Sequence, residues 1–124
     1  MAESLSEGSV SRISFDYGVE LLLSDGAVVR VEGDGEVIRD GEVIGVFDAE
    51  SPVAMSSTLL EFLNLDVVLS LDGAALLVSN LSERLTLTVG PSDDYEAWSL
   101  VLPDGSRLVS SCTGEVVRWA GPTE

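Results

Sequence analysis

Asp94-Tyr95-Glu96-Ala97-Trp98-Ser99-Leu100-Val101-Leu102-Pro103-Asp104-Gly105-Ser106-Arg107-Leu108-Val109-Ser110-Ser111 is the stretch that decides the fold. With its continuation, Gly114-Glu115-Val116-Val117-Arg118-Trp119, it reads as three short strands folded back on one another. It also holds both tryptophans and one of the two tyrosines. Trp98, Leu100 and Leu102 fall at period two and share one face of their strand, so Trp98 is expected in the core. Trp119 shares a face with Val117 on the last strand and is expected in the core or at its rim.

Outward from this stretch the chain repeats the same material, apolar runs joined at Asp-Gly. Val19 to Leu23 and Val28 to Glu32 flank Asp25-Gly26, a pairing that predicts a hairpin with a type I′ turn. Asp66 to Leu71 and Ala74 to Ser79 flank Asp72-Gly73. Residues 19–32, 66–79 and 96–109 thus echo one another, as an array of hairpins does without any duplication. In Arg84 to Val89, Leu85, Leu87 and Val89 oppose Thr86 and Thr88, the alternation of a sheet with one wet face. Val37-Ile38 and Val43 to Phe47 are expected as short edge strands, with the acids among them opposing edge-to-edge pairing. Val10 to Phe15 reads as a first strand or an ordered lead-in, and residues 1–9 as a disordered tail.

One helix is expected, over about 52–63. Ser51 suits the N-cap, Pro52 the first helical position, and Asn64 the stop. Met55, Leu59, Phe62 and Leu63 then line its buried face. The fold class is therefore α+β: a mostly antiparallel, strongly twisted sheet or half-open barrel of hairpins with the helix packed on it. Residues 10–120 form a single globular β-rich domain.

Composition narrows the function. At 124 residues the chain buries a core without disulfides or metals. A hydrophobic fraction of 45% and a mean hydropathy of +0.31 argue against disorder. No apolar run is long enough to span a bilayer as a helix, and the acidic, Ser-rich start lacks the features of a secretory signal. The single cysteine, Cys112, forms no internal disulfide. A cytoplasmic location is the expectation. Six basic residues, all arginine, face 22 acidic ones for a net charge of −16. That field repels nucleic-acid phosphates and anionic membranes, and it accelerates encounter with basic proteins.

Catalytic parts are missing from the sequence. Without histidine or lysine there is no base for a serine or cysteine nucleophile, and no His/Cys cluster for zinc. Glu32-Gly33-Asp34-Gly35-Glu36 is a glycine–acid alternation with nothing to cradle a phosphate. Glu32, Asp34 and Glu36, or Asp93, Asp94 and Glu96, supply oxygens for calcium, but neither run has EF-hand spacing. No cofactor and no metal is expected, nor an enzyme. Exposed aromatics beside acids instead suit arginine-rich segments, through cation–π contact and paired carboxylates. On that reasoning the candidate partner-binding residues are Glu32, Asp34, Glu36, Asp93, Asp94, Tyr95, Glu96 and Trp119.

Asp94-Tyr95-Glu96-Ala97-Trp98, Pro103-Asp104-Gly105, Val109-Ser110, Gly114-Glu115 and Trp119 together resemble the C-terminal signature of an uncharacterised family of small acidic bacterial proteins. The resemblance covers residues 66–119 well and 17–32 loosely. Leu102 stands where that pattern has glycine before proline, and Ser111-Cys112-Thr113 replaces its Pro-Gly approach to the last turn. The family brings no activity and no catalytic residue. Its likeness to immunity proteins of toxin systems, also small, acidic and β-rich, is one of class. The expected function is a non-catalytic binding protein that neutralises a basic toxin or enzyme stoichiometrically. The alternative is a structural or adaptor module, homodimeric through a sheet edge.

Overall fold

A single long strand joins the two halves of the molecule. The computed structural model describes residues 3–15, 18–47, 56–90, 97–110 and 115–119. Strand β1 (Glu3–Phe15) pairs through its first half with β6 (Asp66–Asp72), from Glu3↔Leu71 to Ser9↔Asp66. Its second half pairs with β2 (Val19–Leu23), from Val10↔Leu23 to Phe15↔Val19. Both registers shift along β1, between Ser4 and Ser6 and between Val10 and Arg12. Such irregularities bend a strand and increase its twist, which lets one strand serve two wings.

The wing beyond β2 continues through β3 (Val28–Val31), β9 (Trp98–Val101), β10 (Arg107–Ser110) and β11 (Val116–Trp119). The wing beyond β6 continues through β7 (Ala75–Asn80), β8 (Leu85–Val89), β4 (Gly35–Arg39) and β5 (Glu42–Phe47). All these pairings are antiparallel, and the result is one open 11-stranded sheet with β11 and β5 as its end strands. The sheet does not close into a barrel. Its wings share one core, because Val19, Leu21, Val29 and Trp98 of one wing belong to the same buried cluster as Val37, Leu69, Val78 and Leu87 of the other. Trp98 also donates its Nε1–H to the Ala74 carbonyl across the wings at 3.1 Å.

Three expectations are corrected here. The stretch expected to be a tail joins β1 from Glu3 onward, where its backbone groups find partners on β6 and Leu5 packs against the core. The expected helix over 52–63 reduces, among the described residues, to a single turn α1 (Ser56–Leu59) and a 3-10 turn at Leu60–Phe62. Ser51, Pro52 and Met55 lie outside the described residues. Leu59 and Phe62 are buried as expected, whereas Leu63 is exposed at 37%. The turn ends because Leu63 is extended and Asn64 has a φ of +69°, with the Asn64 amide captured by the Val10 carbonyl at 2.7 Å. The described chain is thus almost entirely β. Third, Val37-Ile38 is not at an edge: β4 pairs with both β5 and β8, and of the two strands expected at an edge only β5 is an end strand.

The Asp-Gly signals mark hairpins as expected, but not all of one turn type. At Asp40-Gly41 both residues have positive φ, +52° and +83°, the combination of a type I′ turn. In the β2–β3 turn only Gly26 does, at +100°. There the Leu23 amide bonds to Ala27 O and the Gly26 amide to Leu23 O, while Asp25 Oδ1 accepts the Ala27 amide at 2.9 Å. The aspartate closes the turn with its side chain and keeps an ordinary backbone. The β9–β10 turn repeats this arrangement, with Leu102, Gly105 and Ser106 in place of Leu23, Gly26 and Ala27.

Asp104 Oδ1 accepts from both the amide and the hydroxyl of Ser106, at 2.8 and 2.6 Å. These bonds, the hydroxyl first, hold the Asp104 carboxyl below its ordinary value, and Arg118 adds a smaller attraction. A depressed folded-state pKa contributes stability above the unfolded-state value that is lost as pH falls through the folded one. Ser106→Ala is therefore expected to raise the Asp104 pKa toward the ordinary carboxylate value and to reduce the acid-dependent part of stability. A carboxyl titration followed by NMR checks this; an unchanged Asp104 midpoint would contradict it.

Candidate functional site

The carboxylates of the glycine–acid alternation are placed by the crossing from one wing to the other. Glu32 and Gly33 both donate their amides to the Ala97 carbonyl at 2.8 Å, which fixes the chain as it leaves β3. Burial then alternates: Val31, Gly33, Gly35 and Val37 face inward, while Glu32, Asp34 and Glu36 are exposed. Extended spacing puts successive members of this acidic row about 6.5–7 Å apart along the chain. Gly33 lets the crossing lie close to its neighbour, for a Cβ there would stand 2.7 Å from that of Ala97. Among the described residues, no three acidic, His or Cys side chains form a metal-holding group.

The three carboxylates are not equivalent. Glu32 Oε1 accepts from Arg30 Nε at 2.8 Å, and the same arginine reaches Glu20 Oε2 at 3.4 Å, so Glu32 is partly neutralised. Glu36, on β4, stands opposite Val46 of β5 and Thr88 of β8 and carries no ion pair among the described residues. Beyond it, the end strand exposes Val43, Ile44 and Val46 at 52, 42 and 61%. The register between β4 and β5 slips at this point, Val37↔Gly45 being followed by Ile38↔Val43, so that Ile44 is the extra residue of a bulge. The turn end of the hairpin is held by Arg39, whose guanidinium meets Glu61 at 3.0 Å and Glu83 at 3.9 Å.

Trp119 is exposed at 50%, so it is not a core residue. It lies opposite Arg107 on the other end strand, with Val117 exposed at 38% two residues before it. The acidic row runs from the end of β3 to β4, across the two wings, and strand pairing brings none of its residues beside Trp119. Asp93, Asp94, Tyr95 and Glu96 lie outside the described residues. Trp98 is in the core, as expected. A separate groove of ≈ 530 Å³, lined by Glu7, Asp66, Val68, Ser79, Leu81 and Ser82 among others, opens over β1, β6 and β7.

Sequence reading missed the exposed trio Val43, Ile44 and Val46 as a surface. A signal was present: Val43 and Ile44 are adjacent apolar residues beside Gly45, a break in period-two alternation of the kind a bulge leaves.

The sequence profile of a family of unknown function matches residues 1–120. The chain belongs to DUF6188. No curated protein and no solved structure matches it. The DUF6188 match takes in all eleven strands, so the acidic row and both end strands lie inside the family's domain. No helix among the described residues of this DUF6188 member is long and apolar enough to cross a membrane.

Proposed function

We propose that this DUF6188 protein is a non-catalytic binding protein that captures a basic protein stoichiometrically, as the immunity proteins of bacterial toxin systems do. The observation that carries this reading is the acidic row, three carboxylates fixed outward on a backbone pinned at Ala97, on a chain of net charge −16. A preformed negative surface accelerates encounter with a positive partner and disfavours nucleic acid and anionic membranes. The cytoplasm is the compartment that suits its single cysteine. A pull-down with the tagged protein from the source organism's lysate, washed at low and at high salt, tests it. The expected result is one basic protein, retained in stoichiometric amount, released as salt rises, and inhibited on re-addition. Return of the tagged protein alone would overturn the reading.

A second reading is favoured by β11. This end strand pairs with β10 in an unbroken register from Arg107↔Trp119 to Ser110↔Val116 and exposes Val117 and Trp119. A regular apolar edge of this kind suits self-association as an adaptor. A mass that grows with protein concentration, and does not when Trp119 is replaced by serine, is the mark of this second function.

A further inference from the structure

We propose that the outer side of the β4–β5 hairpin is where the basic partner docks, recognising it by an apolar side chain next to an arginine or lysine. This rests on the basic-partner reading above and locates its contact. Three of the large apolar side chains exposed among the described residues stand within four consecutive positions here, Val43, Ile44 and Val46. Cross-strand pairing sets Val46 beside Glu36 and Val43 beside Ile38, so the apolar trio adjoins the last carboxylate of the acidic row. Glu36 is in no ion pair among the described residues, whereas Glu42, at the other end of the trio, stands opposite Arg39 in the ladder and shares its face. The hairpin's one arginine, Arg39, is engaged by Glu61 and Glu83, and Asp40 is 3.8 Å from Arg84. The patch therefore offers apolar anchoring area beside Glu36, a carboxylate in no ion pair among the described residues, and its complement is positive.

The same features decide against the other occupants. A second copy seated here would bring Glu36 against a body that also carries −16. The bulge at Ile44 interrupts the free edge, and interrupted edges resist the continuous pairing that a strand from another chain needs. Side-chain recognition on the outer face remains open to a partner.

The test uses the full chain, labelled with ¹⁵N, and two blocked peptides of equal charge, Arg-Leu-Arg-Val-Arg and Arg-Ser-Arg-Ser-Arg. The first is expected to bind about tenfold more tightly than the second at physiological salt. Its amide shift changes should centre on Val43, Ile44 and Val46. Glu36→Gln with Val46→Ser is expected to lose about tenfold in affinity with an unchanged Tm, since both residues are exposed. Val117→Ser, on β11, should change nothing. Binding of both peptides with equal affinity, or with shifts centred on β11 or on the Glu7–Asp66 groove, overturns the docking surface and leaves the basic-partner reading standing. Failure of both peptides to bind even at low salt removes the docking surface and the basic-partner reading together. Shifts at Val43 and Val46 that grow with protein concentration and no peptide would make a second copy the occupant, which also overturns the proposal.

Discussion

Replacing Trp98 by alanine is expected to lower stability by about 3–5 kcal/mol, the usual cost of truncating a buried aromatic. Trp98 heads the fully buried side chains by size and is 1% exposed. It sits on β9 between β3 and β10, opposite Val31, so its removal opens a cavity where the wings meet. Its Nε1–H also bonds Ala74, in the turn between β6 and β7. Domains of this size hold about 5–15 kcal/mol in total, and the loss corresponds to a fall in Tm on the order of 10–20 °C. Trp98→Phe keeps most of the apolar area but loses the donor and leaves a small cavity, so its cost should be smaller, about 1–3 kcal/mol. Urea unfolding followed by circular dichroism measures both. In a Trp119→Phe background the remaining fluorescence reports Trp98 alone, and it should be blue-shifted in the folded state. A loss below about 1 kcal/mol for Trp98→Ala would mean that the wings do not depend on this contact.

That core was legible in advance because period-two alternation has only one physical cause in a short apolar run, a sheet with one buried face. Leu85, Leu87 and Val89 against Thr86 and Thr88, and Trp98 with Leu100, were readable for this reason, as were the Asp-Gly turns. Partners far apart in sequence were not. The order that places β4 between β5 and β8, and β9 beside β3, depends on which apolar faces cover one another, and the alternation pattern is the same for every order. The tail misled because Glu3 to Ser9 has a polar sequence; its structure comes from ladder bonds to β6 and one apolar contact through Leu5. The helix was legible in part: Leu59 and Phe62 are buried at its spacing, and the chain leaves it at Leu63 and Asn64, the expected stop. Its expected start at Ser51 and Pro52 lies outside the described residues. For the site, the acid row was readable as residues, whereas its one-sided display needed the buried glycines and the Ala97 carbonyl. Trp119 could not be placed, because exposure on an end strand depends on what lies beyond it.

Gly33→Ala is expected to destabilise by about 1–3 kcal/mol, the range for overpacking. Two effects of opposite sign compete. Alanine restricts the unfolded chain, which by itself favours folding by about 0.4–1 kcal/mol where the backbone permits, and Gly33 has no left-handed φ to forbid it. Against this, the added Cβ would lie 2.7 Å from Ala97 Cβ and 3.0 Å from Ala97 Cα. Ala97 is fully buried, has no rotamer to change, and holds Glu32 and Gly33 through its carbonyl. The backbone must move, so sterics win. Gly90 is the matched control: it also lacks a left-handed φ, and a Cβ there meets nothing within 4 Å. Gly90→Ala should therefore be neutral or slightly stabilising. Adding Ala97→Gly to Gly33→Ala removes the closer contact but leaves the Cα one, and should restore only part of the loss. Because the crossing carries the acidic row, the same substitution should also weaken salt-sensitive binding of a basic peptide, even under conditions where the variant stays folded. If Gly33→Ala and Gly90→Ala unfold at the same urea concentration, the crossing is not tight. The carboxylate of Glu32 would then owe its position to its ion pair with Arg30 rather than to the backbone beneath it.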